Sequence, residues 1–335
     1  MTLVDARNRP LRDLRISVTD RCNFRCTYCM PREHFGPQHS FLPRDELLTY
    51  EEMTFVTASL LPLGLEKIRL TGGEPLLRKN ITTLIGQLRE LDPTLDIALT
   101  TNGALLFQHA ASLKEAGLNR VTVSIDALDK GTFQSLADTT SHTPEVILKG
   151  IEKAIEVGLG VKVNTVVKKG MNDEEILPLA EKFESIGVPL RFIEFMDVGN
   201  TNAWQMEDVM SGADIRELLA QRFGTLTPVQ GQQASEVAKR YSTSKGYEFG
   251  FIESVTSPFC GDCTRARLSA NGQIYTCLFA TKGHDIKSIL RMGGSTQEIG
   301  NAIASIWTTR NDRYSEERGA QRRSDTKVEM SFIGG

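Results

Sequence analysis

The sequence holds no surplus of basic residues. Its 39 Lys and Arg stand against 42 Asp and Glu, for a formal charge of −3 over 335 residues. That balance speaks against general nucleic-acid binding, and any anionic ligand has to be held by local basic residues. Nor is there a run approaching the ~18 apolar residues of a membrane span. The opening MTLVDARNRPLRDLR is charged throughout, with no apolar core segment, so it does not read as a secretory signal. The expected location is the cytoplasm, where clustered thiols serve metals or catalysis more often than disulfides. The last absence is a fourth cysteine. All six Cys fall into two trios: Cys22, Cys26 and Cys29 as C-x3-C-x2-C, and Cys260, Cys263 and Cys277 as C-x2-C-x13-C. Neither trio has another Cys to complete it.

What is present is a rhythm. Strand-like runs fall at roughly 15–18, 67–71, 96–100, 120–124, 161–167 and 190–195, with amphipathic helical patterns between them. One helix begins near Thr49, where Thr49 and Glu52 have capping-box spacing. Gly64, Gly117, Gly158 and Gly187 each close a helical pattern shortly before the next strand. Six repeated βα units predict a parallel α/β barrel or partial barrel, with an open doubly wound sheet as the alternative. After Phe195 the rhythm stops, and two regions follow from it, 1–199 and 200–335. The stretch 200–231 is mixed, strand-like runs lie at 236–241 and 247–252, and a capping box at Ser295 and Glu298 opens a last helix. Asn271-Gly272 predicts a β-hairpin that sets Ser269 against Ile274 and brings Cys277 back near Ala266.

The polar motifs sit at the carboxyl ends of the predicted strands, the face that carries active sites in parallel α/β barrels. The first trio follows the first strand, TGGEP (71–75) ends the second, TTNG (100–103) the third, SIDA (124–127) the fourth and EFMDVG (194–199) the sixth. Basic residues also alternate inside strands that are ordinarily apolar: Lys67 and Arg69, Lys162 beside Asn164, Arg191, and Arg265 with Arg267 on the hairpin. A lumen built for a polyanion explains them, since Arg and Lys make charge-assisted bonds to phosphates. For the trios, two chemistries compete. Three thiolates on a four-iron cubane leave one iron open for a ligand. Structural zinc would instead recruit His34 to the first trio or His284 to the second.

C-x3-C-x2-C with an aromatic, Tyr28, before its last Cys, followed by GGEP, resembles the radical S-adenosylmethionine (SAM) enzymes. Both trios, FIEFMDVG, CTRARL and the Gly334-Gly335 end extend that resemblance to the GTP 3′,8-cyclases of molybdenum cofactor biosynthesis over nearly the whole chain. The resemblance implies a partial (β/α)6 TIM-like barrel closed by a C-terminal region with a β-hairpin. It implies two [4Fe–4S] clusters held by the six Cys, with SAM on the first. It also implies a lyase that abstracts the ribose C3′ hydrogen of GTP and joins C3′ to guanine C8, giving 3′,8-cyclo-7,8-dihydro-GTP. Tyr28, Gly73, Ser124 and Met196 match SAM-binding positions, and Gly72 and Glu74 of the same GGEP motif are expected beside them. Arg15, Arg69, Thr100, Lys162, Arg265 and Arg267 match substrate-binding positions, the last two also in a catalytic role, and Lys67, Thr71 and Arg191 are added as substrate contacts. A cellular electron donor and a downstream cyclic pyranopterin monophosphate synthase are the implied partners, and a homodimer is compatible with the resemblance. The Gly334-Gly335 tail, with Arg318, Arg322 and Arg323 before it, is expected to reach the active site. Two rival readings are a radical SAM enzyme acting on a peptide and a non-catalytic zinc-binding module.

Overall fold

Residues 2–230, 236–318 and 326–334 are described by the structure, a computed structural model. Arg322, Arg323 and Gly335 lie outside the described residues. Strands β1 (Asp13–Ser17), β2 (Lys67–Thr71), β3 (Asp96–Thr101), β4 (Arg120–Ser124), β5 (Gly160–Val167) and β6 (Leu190–Glu194) pair in chain order, all parallel. The glycines at the helix ends do what the sequence required, since Gly64, Gly117, Gly158 and Gly187 all have positive φ. Both predicted capping boxes form, at Thr49 with Glu52 and at Ser295 with Glu298.

The later strands are β7 (Thr227–Pro228), β8 (Lys239–Ser242), β9 (Glu248–Ile252), β10 (Arg265–Leu268), β11 (Gln273–Tyr275) and β12 (His284–Asp285). They extend both edges of the six-stranded sheet. β9 adds parallel to β6 and carries β8 and β7, while β10 adds parallel to β1 and carries β11 and β12. The sheet is not closed into a barrel. It ends on β7 and β12, edges only two residues long, and short edges blunt stray pairing. The C-terminal region thus widens the arc and does not seal it.

Along β1 to β5 one face is apolar and fully buried, as with Leu14, Ile16, Ile68, Leu70, Ile97 and Val121. Each such side chain contributes ~1.5–3 kcal/mol by leaving water. The opposite face carries the alternating polar residues, and strand register stacks them in layers. Asp13 lies beside Arg265 and Lys67, and Lys67 beside Asp96. One layer further on, Arg15 lies between Arg267 and Arg69.

Two expectations are corrected. The stretch 200–231 contains a helix, Gly212–Phe223, capped by Ser211 and Asp214. Only Gly212, Ile215 and Leu219 of it are buried, with Leu218 and Phe223 packed part-buried against the core. The hairpin register is also one residue different. Ser269 donates its N–H to Gln273 and accepts one from Gly272, so the loop is 270–272 with Gly272 at φ 82°. A three-residue loop ending in a left-handed Gly replaces the two-residue turn. Leu268 then faces Ile274 and Arg267 faces Tyr275.

Candidate active site

A cavity of about 330 Å³ opens at the carboxyl ends of the strands, and all six Cys line it. The first trio follows β1 on a loop stitched to the end of β2. Gly73 donates its N–H to the Thr19 carbonyl and Glu74 donates to Arg21, both at 2.8 Å. A Cβ on Gly72 would stand 2.3 Å from the Thr19 oxygen, and one on Gly73 would stand 2.3 Å from the Arg21 oxygen. The two glycines are therefore required by the cysteine loop itself, a reason additional to the approach of a ligand backbone-to-atom.

Glu74, read from sequence as a cofactor contact, is buried and does not line the cavity. Its carboxylate accepts hydrogen bonds from the Thr101 hydroxyl at 2.8 Å, the Asn102 N–H at 2.8 Å and the Leu76 N–H at 3.0 Å. It ties GGEP to TTNG. Asn102 in turn donates to Asn23 at 2.8 Å and to the Cys22 sulfur at 3.8 Å. Tyr28, Gly72, Gly73, Ser124 and Met196 do line the cavity. The Tyr28 hydroxyl donates to Asp126 at 2.5 Å, and Asp126 also accepts the Val166 N–H at 2.8 Å. Burial lifts the Asp126 carboxyl to about 6 and pushes the Tyr28 phenol well up.

The donor set fits a cationic group. Burial raises the Cys22 thiol to about 11, and Glu74 adds to the rise against the pull of Arg25. Burial raises Cys26 and Cys29 as well; Cys26 also feels the charge of Cys22 and Cys29, and Cys29 that of Cys22 and Glu329. Three half-buried thiols that resist ionisation together become ligands when the bound group supplies positive charge. At the second trio, burial would raise Cys263, but Arg265 and Arg310 outweigh it and bring the thiol down to about 6. Arg265 donates to the Cys263 sulfur at 3.3 Å. Burial and then Asp312 push Cys277 up to about 12. His34 and His284 are exposed and do not line the cavity. Among the described residues, no group of three His, Cys, Asp or Glu side chains converges as on a single ion. A polynuclear cluster asks for less convergence, one thiolate per iron.

Arg15, Arg69, Thr71, Thr100, Arg191, Arg265 and Arg267 line the same cavity. Arg69 donates to the hydroxyls of Thr100 at 3.0 Å and Thr122 at 3.1 Å. Burial, then repulsion from Arg265, lowers Arg15 to about 10, and burial with Arg15, Arg120 and Arg191 lowers Arg69 to about 9. Arg267 is lowered well below the usual range, chiefly by burial. Buried cations crowded in this way are costly until an anion joins them. Lys67 and Lys162 do not line the cavity. Lys67 reaches Asp13 at 3.5 Å and Asp96 at 4.0 Å, and Asp96 also binds Arg120 at 2.6 Å. Lys67 is thus neutralised one layer below Arg15 and Arg69.

Sequence reasoning missed Arg9 and Arg310, which line the cavity beside the second trio. Arg9 donates to the Cys260 carbonyl and Arg310 to the Cys263 carbonyl, each at 2.7 Å, and both pair with the buried Asp5. No local pattern marks their place at the second trio, because Arg9 meets the Cys260 carbonyl across 251 residues and Arg310 meets Asp5 across 305.

Residues 16–183 match the Radical SAM superfamily and residues 188–316 match Molybdenum Cofactor Synthesis C. The first match, with a thiol trio after β1 of a mostly parallel sheet, defines a radical SAM enzyme, a class that uses SAM and an iron–sulfur cluster. The chain is 46% identical to the GTP 3′,8-cyclase of Staphylococcus haemolyticus over 99% of its own length and 98% of that protein. Against the GTP 3′,8-cyclase of Staphylococcus aureus (strain bovine RF122 / ET3-1) the identity is 47% with the same coverage. The chain belongs to the GTP 3′,8-cyclase family. Streptococcus suis SuiB bound to S-adenosylmethionine superposes with a TM-score of 0.62, covering 95% of this chain and 70% of that one. At 17% identity that likeness establishes the fold alone. Among the described residues no helix is long and apolar enough to cross a membrane.

Proposed function

We propose that the chain is a GTP 3′,8-cyclase whose two thiol trios hold two [4Fe–4S] clusters on opposite tasks: Cys22, Cys26 and Cys29 for SAM, Cys260, Cys263 and Cys277 for the substrate. The observation that carries the reading is that both trios and the arginines Arg15, Arg69, Arg265 and Arg267 share the wall of one cavity. With cluster and SAM bound, the first site supplies a carbon-centred radical able to take a hydrogen atom. The chain's own residues do the rest. The arginines offer charge-assisted, bidentate contacts to a triphosphate, and their burial makes each contact stronger than it would be in water. Thr71 and Thr100 offer hydroxyls in the same wall. Tyr28, fixed by Asp126, and the Gly72–Gly73 backbone border the SAM side, with Ser124 and Met196. Arg265, in contact with Cys263, joins the phosphate wall to the second trio. A peptide substrate has no use for such a set of cations. The division at 199/200, a cytoplasmic location, a cellular one-electron donor and a downstream enzyme that forms cyclic pyranopterin monophosphate complete the proposal.

The test is anaerobic reconstitution with iron, sulfide, SAM and GTP deuterated at C3′. Deuterium should appear in 5′-deoxyadenosine, alongside a cyclised nucleotide. Unlabelled 5′-deoxyadenosine from a protein that makes no new nucleotide would overturn the reading.

Lys162 does not line the cavity, but it lies two residues before Asn164 on β5, which does, so its charge acts on the site from just outside and gives a pH prediction. Burial, with repulsion from Arg191 and Arg120, brings its ammonium down to about 8. Below that pH the free protein already carries the charge. As pH rises through 8, the free protein loses the proton that the bound triphosphate would favour. GTP affinity should therefore fall above about pH 8, by at most about tenfold per pH unit. Calorimetric titration of GTP across that range should show the fall in the wild type and a flatter profile in Lys162→Met. Equal profiles would remove Lys162 from the site.

A further inference from the structure

Residues 326–334 turn into the cavity. Met330 and Ser331 line it, Ile333 is fully buried, and the Gly334 carbonyl accepts a hydrogen bond from Arg267. Gly334 sits against Thr71, where a Cβ would stand 2.3 Å from the Thr71 methyl. Something has to hold the segment there, because ordering a chain end costs conformational entropy.

Most of the holding contacts come from the loop after β6, with one more from the Val328 N–H to the Ala280 carbonyl at 2.9 Å. Asp197 accepts hydrogen bonds from Lys327 at 2.8 Å, Arg318 at 2.8 Å and Tyr314 at 2.5 Å. Lys327 donates to the Asp197 carbonyl as well, at 2.7 Å. Asn200 brackets the Lys327 backbone, accepting its N–H at 2.9 Å and donating to its carbonyl at 2.5 Å. Glu329 accepts the Asn200 N–H at 2.9 Å and the Thr201 hydroxyl at 3.2 Å. Gly199 has φ 63°, and a Cβ on it would stand 2.1 Å from a Glu329 oxygen. The same loop presents Met196 and Val198 to the cavity.

We propose that Asp197, Gly199 and Asn200 form a latch that seats residues 327–334, so that Gly334 lies on Arg267, and that they are positioning residues for the cyclisation. The inference rests on the reading of the cavity given above. None of the three donates or accepts a hydrogen bond with a cysteine or with Arg15, Arg69 or Arg265. Opening the latch should therefore leave cluster assembly and SAM cleavage in place while the substrate side loses its shape.

Asn200 is exposed, so Asn200→Ala tests the latch with little threat to folding. Gly199→Ala is the second variant, since its methyl would collide with Glu329. Both reconstituted proteins should match the wild type in iron content and in 5′-deoxyadenosine formation. Cyclised nucleotide per 5′-deoxyadenosine should fall roughly 10- to 100-fold, the scale of a small misplacement at a reacting centre. Limited trypsin digestion, read by mass, gives a measure independent of activity: cleavage after Lys327 should be slow in the wild type and fast in both variants. Combining Gly199→Ala with Glu329→Ala should add no further loss, because one contact cannot be broken twice. An Asn200→Ala protein that stays protected at Lys327, or that is cut there yet cyclises normally, would overturn the latch. If Gly199→Ala assembles no iron, Asn200→Ala decides alone. A wild type that is protected at Lys327 but forms no cyclised nucleotide would fail the functional reading while upholding the latch as a fastening.

Discussion

Cys26→Ala should fold, keep the iron of the second trio and form almost no 5′-deoxyadenosine. The Cys26 backbone, not its sulfur, builds the local turn: its carbonyl accepts the N–H groups of Cys29 and Met30, both at 2.9 Å. Alanine retains both bonds. Cys22 is a less clean choice, because its sulfur accepts from the Phe24 N–H at 3.4 Å and from Asn102. What Cys26→Ala removes is one of three thiolates, and with it an iron of the SAM-binding cluster. A loss on the order of a thousandfold, or about 4 kcal/mol of barrier, is expected. Iron should drop toward half, and the melting temperature of the apoprotein should change little. Undiminished 5′-deoxyadenosine would take the first trio out of SAM chemistry.

Cys277→Ala should give the opposite pattern. Cyclised nucleotide should fall by roughly a hundredfold or more, about 2.7 kcal/mol, with slow SAM cleavage persisting. Among the described residues Cys277 accepts only the Phe279 N–H, at 3.4 Å, so its removal disturbs little of the fold. Its thiol is held protonated by burial and by Asp312, whereas Cys263 is drawn toward thiolate by Arg265 and Arg310. The pair is unequal, and a bound cluster has to overcome that inequality by displacing the Cys277 proton. Normal product from Cys277→Ala would take the second trio off the substrate side, and the reading of a substrate-side cluster would fall.

Much of this was legible in the residues, for reasons of range. A capping box is a signal four residues long, and the ones at Thr49 and Ser295 form as spaced. Period-two alternation correctly put Arg69 and Arg267 on one face, where register makes them neighbours of Arg15. Alternation could not separate Arg69 from Lys67, because the difference lies in the carboxylates that adjoining strands bring up. Asp13 and Asp96 come from β1 and β3, and only register sets them beside Lys67. Arg9 and Arg310 were illegible for the same reason at longer range, their meaning arising where two distant segments meet at Asp5. Glu74 sat in a motif that signalled binding, yet its burial and its bonds to Thr101 and Asn102 give it the task of joining two loops.

The two-sided extension of the sheet has a consequence for how the chain is made. β1 leaves the ribosome early, but its outer neighbour β10 follows only about 250 residues later. At ordinary translation speeds that is a wait of roughly 10–50 s. Through that interval β1 shows an open row of backbone donors and acceptors, the kind of edge on which other chains pair. β6 has a shorter wait for β9. The nascent protein is thus asymmetric in risk: its first strand is the one exposed longest. A long-range contact of this kind also slows folding. Slowed synthesis should therefore raise aggregation of the full chain more than slowed refolding in dilute solution does.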